Sequence, residues 1–312
     1  MIVRYIPLVF GALLVASGIA SANVTVGATH HLRAAGHHGW MAPDADPNHA
    51  WLYAAGSVNN VVEIYDLDTR PGPRLIGTIT EGLDHCQGAT VDQNGNLYVA
   101  NNQGTPSVTI YPPGTITPSL TLTQGLTNPF SAAADSSGNV WVSNNTNPPE
   151  ILVYPAGQNV PSTTITGPLV KSPGQDFFDA AGNLWYNDYE GFNMIPAGSF
   201  TPQSTSYRPP PQPSGLTFTS DGTLYSSNFA GHGRDIVAYG PGKSHPSKRL
   251  NFNGNADYLA SGRIGRHDYV FATNTFSDTV TFFRAGSRNA VFTLATGASG
   301  INGVAYKPAG VP

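Results

Sequence analysis

The sequence predicts an all-β fold class, and three observations carry that prediction. A cluster of the form Asp-x-x-Gly-Asn, followed by an aromatic-rich strand, returns at intervals near 43 residues. A second landmark that ends in Pro-x-Gly or a relative of it follows each copy. The composition is rich in turn formers and poor in charge: of 312 residues 35 are Gly and 26 are Pro, while charged residues make up 11%. Many short strands joined by tight turns use such a composition, whereas surface helices need charged outer faces.

Taken in order, the first full copy is Asp92-Gln-Asn-Gly95-Asn96-Leu97-Tyr98-Val99-Ala100-Asn101, and it returns as Asp135-Ser-Ser-Gly138-Asn139-Val140-Trp141-Val142-Ser143-Asn144. Further copies start at Asp179, Asp221 and Asp268, and a degenerate one, Trp51-Leu52-Tyr53, precedes them all. The second landmark reads Tyr111-Pro-Pro-Gly114, Tyr154-Pro-Ala-Gly157, Ile195-Pro-Ala-Gly198, Tyr239-Gly-Pro-Gly242 and Phe283-Arg-Ala-Gly286. Each unit reads as four strands: one of small residues, a turn in which Gly and Asn adopt positive φ, an aromatic-rich strand, and two more around the landmark. Four-stranded units of about 40–50 residues are the signature of propeller blades. Inner strands fall at 88–92, 131–135, 175–179, 215–219, 258–262 and 303–307, so the fold is a six-bladed β-propeller. The last of them has no strands after it, and the strands near 52, 61–65 and 75–80 have no inner strand before them. The C-terminal strand is therefore expected to complete blade one and close the ring, making 43–310 one domain.

The N-terminus reads as an export signal over 1–22: Arg4 gives a positive start, 6–15 an apolar stretch, and Ala20-Ser21-Ala22 a cleavage site. The product is expected to be secreted or periplasmic, beginning at Asn23, with no membrane insertion once the signal is removed. A net charge of −4 without Lys/Arg clusters leaves no footprint for nucleic acid. Cys86 is the sole cysteine, so no intramolecular disulfide is possible, and a small buried apolar role is expected for it in preference to a nucleophile assisted by His85.

The Asp-x-x-Gly-Asn-Leu-Tyr-Val-Ala-Asn run followed by Tyr-Pro-x-Gly resembles the NHL-type repeats of exported bacterial propellers. Gly39-Trp40-Met41-Ala42-Pro43, Leu52-Tyr53 and Gly88-Ala89-Thr90-Val91-Asp92 are similar to the same group, and the resemblance spans nearly all of the mature chain. It implies the fold and leaves the function open, because propellers host binding, scaffolding and enzymatic roles alike. A more distant resemblance to gluconolactonase-like propellers implies a calcium or magnesium ion at the channel mouth, held where inner strands begin. Those positions here are Gln87, Phe130, Gly174, Ser214, Asp257 and Asn302. Asp257 and Asn302 match the ligand type, but no Glu completes the set and Phe130 interrupts it. Virginiamycin B lyase-like propellers use a His and Glu pair with magnesium, and no local pattern here matches theirs.

In antiparallel blades the first strand starts and the second ends on the same face. The second strands end at Gly56, Asn101, Asn144, Asp188, Asn228 and Asn274. With Gln87, Asp257 and Asn302 they form a face rich in short hydrogen-bonding side chains. They read either as caps of the strand ends or as a surface for a glycan, another small polar ligand or a partner protein. Glu190 and His232 stand on loops of neighbouring blades on that face, the arrangement an acid–base pair would need. His30-His31 and His37-His38 form a His-rich tract within 23–42 that offers imidazoles to a transition metal. Asp44-x-Asp46-x-Asn48 begins like a calcium loop but has His49 where glycine is needed and Ala55 where Glu is needed. The sequence therefore supports an extracytoplasmic binding or scaffold propeller first, a metal-dependent lactonase- or lyase-like enzyme second, and a secreted metal binder third.

Overall fold

Blades two, three and four are built on the turn that the repeat encodes. In the computed structural model, which describes residues 38–188, 190–228 and 236–311, Asp92 Oδ1 accepts from the amides of Asn94 (2.8 Å) and Asn96 (2.9 Å), and Oδ2 accepts from Asn96 Nδ2 (2.8 Å) and the Tyr98 hydroxyl (3.0 Å). Asp179 repeats the pattern with Ala181, Asn183 and the indole N–H of Trp185, and Asp135 with Ser137, Asn139 and Trp141. The carboxylate thus fixes the turn and the aromatic strand after it, which is why the residue six positions on is Tyr or Trp. Gly95, Gly138 and Gly182 sit at φ of 81°, 81° and 82°, a conformation that side chains disfavour.

In blades two, three and five the second landmark ties the blade to the segment that leads into it. The hydroxyls of Tyr111, Tyr154 and Tyr239 donate to the carbonyls of Glu81, Gln124 and Arg208, each at 2.6 Å. The proline-rich stretch 208–213, which leads into blade five, is thereby anchored at Arg208.

The strands assemble into six antiparallel sheets, of which five have four strands and run in sequence order from the channel outward. The sixth is blade one, ordered from the rim inward as Trp40–Met41, Arg74–Ile79, Val61–Asp66, Trp51–Gly56 and Ile301–Lys307. The C-terminal strand closes the ring as its sequence position requires. Trp40–Met41 adds a fifth, outermost strand through Trp40↔Thr78 and Met41↔Gly77, so ordered pairing starts within the segment 23–42.

Four of the inner strands begin about two residues earlier than the repeat suggests, and those of blades four and six, Asp176–Phe178 and Leu259–Ile264, begin one residue later. In blades one, two, three and five the pairing carries a bulge near its start, and Asn302, Gln87, Phe130 and Ser214 are among the residues left out of register. Apolar side chains between adjacent blades form the core, with Trp51, Tyr65, Tyr111, Tyr154, Tyr186, Tyr239, Phe271 and Phe283 fully buried. Lys307, also fully buried, lies 5.0 Å from the Trp51 ring centroid and donates to the carbonyls of Pro47 and His49, latching the last strand to the chain that leads into blade one.

Candidate functional site

The face that holds the strand-two ends is occupied by its own architecture. Asn101 and Asn144 are 0% exposed. Asn101 Oδ1 accepts from the Asp84 amide (3.1 Å), and its Nδ2 donates to Val99 O, Ser107 Oγ and Thr109 Oγ1. Asn144 accepts from the amides of Thr127 and Asn128 and donates to Gly125 O and Glu150. Asn274 joins Asn255 and Asn253 in the same manner. Asp188 accepts from the amides of Glu190 and Gly191 and from Asn193 Nδ2. In blade one, where Gly56 ends the strand, Asn59 does this work, accepting from the Ser299 amide and donating to Gly297 O. These amides hold the crossovers that lead into the inner strands, a local capping role. Asn228 ends blade five's second strand, half-buried opposite Pro213.

The remaining candidates are dispersed. Glu190 is ion-paired with Lys171 on the surface. His232, His30, His31 and His37 lie outside the described residues, and His38 is exposed. Cys86 is fully buried, and burial pushes its thiol up to about 12, which removes the thiolate at neutral pH.

A divalent cation at the mouth would need converging oxygen donors. Asp257 brings one carboxylate, whose Oδ2 accepts from the Thr275 hydroxyl (2.9 Å) and whose buried Oδ1 has no protein partner. Burial pushes this carboxyl up to about 6, toward the neutral form. The Asn302 amide donates to Gln87 Oε1 (3.4 Å), and Gln87 Nε2 donates to Asn102 (3.5 Å). Among the described residues no three His, Cys, Asp or Glu side chains form a cluster that could hold a metal. This donor set does not fit a gluconolactonase-type metal centre.

The channel itself is closed on this face by two side chains. Tyr258, in blade six, donates from its hydroxyl to the Phe130 carbonyl in blade three (2.6 Å). Gln175, in blade four, donates from Nε2 to Leu259 O in blade six (2.6 Å) and accepts at Oε1 from the amides of Leu216 and Leu259 (3.1 Å each). One amide therefore joins three blades. Beside it Asp176 is fully buried, accepting from Ser143 Oγ (2.8 Å) with Oδ1 unpartnered, and burial pushes its carboxyl up to about 7.

Below this closure the channel widens into a cavity of about 550 Å³. Its lining includes residues of the turns after the inner strands, such as Ala180, Ala181 and Ser220, so it opens on the Asp-x-x-Gly face. Phe177, Phe178, Phe218 and Tyr306 supply aromatic walls from blades four, five and one, and an adjoining lobe of about 440 Å³ extends from Phe177 and Phe178 toward blades two and three.

These residues stand out when the inner strands are aligned in columns: Gly-Ala-Thr-Val from 88, Ser-Ala-Ala-Ala from 131, Gln-Asp-Phe-Phe from 175, Gly-Leu-Thr-Phe from 215, Tyr-Leu-Ala-Ser from 258 and Gly-Val-Ala-Tyr from 303. The first column is small except at Gln175 and Tyr258, the two residues that cross the channel. The fourth column carries Phe178, Phe218 and Tyr306, three of the cavity's aromatic walls. Reading the repeat for its regularities hid what its departures encode.

No family profile matches the chain, and no curated protein matches it. Solved structures do resemble it. A chain of the nidogen/laminin complex superposes with a TM-score of 0.65 at 14% identity, covering 82% of this chain and 98% of that one. A protein of unknown function from Bacteroides caccae gives 0.58 at 12% identity, over 83% and 98% of the two chains. Hydrazine synthase from Kuenenia stuttgartiensis gives 0.50 at 14%, over 64% and 63%. At such identities the likeness is one of fold, and it agrees with the strand order: the chain is a six-bladed β-propeller closed by its C-terminal strand.

Proposed function

We propose that this chain is an exported binding propeller that takes its ligand at the open end of the channel, on the face of the inner-strand turns. One observation carries the reading: the channel is sealed on one face by Gln175 and Tyr258 and opens on the other into a cavity of about 550 Å³. Such a volume lies within the range of small-molecule sites, about 300–1,000 Å³. The opposite face presents asparagines already engaged in holding crossovers, which favours a structural role there. The two landmarks, Asp-x-x-Gly-Asn and Tyr-Pro-x-Gly, support grouping the blades with the NHL type, and 1–22 supports export. A lactonase- or lyase-like activity would need the metal that Asp257 and Asn302 do not cage.

The test is a thermal-shift screen of the mature protein against a mixed small-molecule library, run beside Ala260→Trp, which fills the cavity, and Ala181→Trp, which narrows its exposed rim. Compounds that raise the wild-type midpoint and lose the effect in both variants support the reading. A screen in which no compound distinguishes wild type from the variants rejects it. Fractionation of cells expressing the full chain, with N-terminal sequencing of the exported product, checks that it starts at Asn23.

A further inference from the structure

We infer that the channel cavity is a site for a neutral, ring-bearing apolar compound. This rests on the binding reading above and narrows it by chemistry. Every polar side chain in the lining is already committed to the protein. Thr90 donates to Ala132 O, Thr217 to Ser261 Oγ (2.9 Å), Ser261 to Phe218 O (2.5 Å) and Thr219 to Asp221 (2.7 Å). Ser220 donates to Asp268, and Tyr306 to the Arg263 carbonyl. The Gln175 amide is spent on three blades. A sugar or an amino acid entering here would shed its water and find no uncommitted side-chain donor, a loss of about 1–3 kcal/mol for each buried group left unpaired.

Charge is not offered either. The one carboxylate in the lining, Asp179, accepts from two amides, from Asn183 Nδ2 and from the Trp185 indole. Burial acts to raise it, but these bonds outweigh burial and hold it below the usual carboxylate value, so its charge is turned inward to the turn.

What the cavity does offer is aromatic surface held in place before any ligand arrives. Phe218 is packed edge-on by Trp185 (4.9 Å between centroids) and Phe177 (5.9 Å). Phe178 meets Trp141 edge-on at 5.9 Å, and Trp141 is stacked in turn on the half-exposed Phe200 at 5.4 Å. Rings locked by neighbours lose little freedom on binding, and they favour flat, apolar partners in stacked or edge-on contact.

The experiment uses N-phenyl-1-naphthylamine, a neutral aromatic amine whose fluorescence rises when it leaves water, titrated into the mature protein. Saturable binding is expected, weakened about tenfold in Phe177→Ala and in Phe218→Ala, the scale set by one lost aromatic contact. Both phenylalanines are half-buried, so melting curves check that the variants fold. Ala181→Trp, at an exposed position on the rim, reports on the site if they do not. An absence of saturable binding, or equal affinity in all variants, overturns the inference. If polar or charged library compounds lose their thermal shift in the rim and filling variants while the naphthylamine does not bind, the binding reading stands and the apolar class falls. If nothing distinguishes wild type from those variants, both fall.

Discussion

The hydroxyl of Tyr258 donates a 2.6 Å hydrogen bond to the carbonyl of Phe130, joining blade six to blade three across the centre of the ring. Blades that face each other share no strand edge, so their relative placement otherwise passes through the two blades between them on either side. Gly88 makes room for this contact. A Cβ there would lie 2.5 Å from the Phe130 carbonyl oxygen and 3.0 Å from Tyr258 Cε1. The small residue in blade two and the large one in blade six are two halves of one fit.

Tyr258→Phe keeps the ring and removes the bond, so we expect a loss of about 1 kcal/mol in unfolding free energy, the net value of a typical hydrogen bond. Gly88→Ala should cost more, about 1–3 kcal/mol, because a backbone carbonyl must move. Urea denaturation of both variants measures this. Wild-type midpoints in both would show that the channel closure contributes nothing to stability.

Much of the architecture was legible because the repeat is written in residues with backbone duties. Asp92, Asp135 and Asp179 each accept four hydrogen bonds in one turn, and Tyr111, Tyr154 and Tyr239 each staple a crossover. The aspartate turn recurs in blades two, three and four and the tyrosine staple in blades two, three and five, and such repetition shows in the sequence. The strand starts were less legible, since a bulge at Gln87, Phe130, Ser214 or Asn302 adds a residue without changing the composition. The role of the strand-end asparagines was not legible from residue type. An asparagine that holds a crossover and one that faces a ligand look alike in sequence, and only pairing distances separate them. The cavity's aromatic walls come from different blades, at positions where the repeat varies, so no local motif contains them.

Removal of 301–312 should abolish cooperative unfolding. The strand Ile301–Lys307 is the inner strand of blade one, pairing with Trp51–Gly56 from Trp51↔Lys307 to Gly56↔Ile301. Its loss uncovers the edge of a fully buried strand and removes the Lys307 latch. A thermal transition in the truncated protein as sharp and as high as that of the untruncated chain would refute the role of ring closure.

Calcium should leave the thermal midpoint of the protein unchanged at millimolar concentration, in wild type and in Asp257→Asn alike. The reason is the donor count at the mouth: one carboxylate, already bonded to Thr275, beside an Asn302 amide engaged with Gln87. Calcium takes about 6–8 oxygen ligands, and a site this sparse cannot desolvate it. A rise in midpoint that disappears in Asp257→Asn would establish a metal site there and revive the lactonase-like reading.

Stability should fall as pH rises from about 4 to 7, and Asp176 should carry much of the fall. Its carboxyl is fully buried, and burial pushes it up to about 7 from the ordinary 3.8, against the pull of hydrogen bonds from Ser131 and Ser143. Between those two values the folded chain keeps a proton that the unfolded chain releases. The contribution is therefore complete below 3.8, declines through the window, and is gone above about 7. Asp257, pushed up to about 6 by burial, adds a shorter decline in the same direction. His49 is raised by its hydrogen bond to Asp66, and it adds a loss that begins above its ordinary 6.5. Asp176→Asn preserves the side-chain shape and an oxygen for Ser143 Oγ but has no proton to lose. Asp257 and His49 are present in both proteins, so their contributions cancel when the two are compared. We expect the variant to gain on wild type by on the order of 1–3 kcal/mol between pH 5 and pH 8, read from urea midpoints. Parallel pH profiles for the two proteins would mean that Asp176 stays ionised when folded, and that the channel closure holds a buried charge instead of a shared proton.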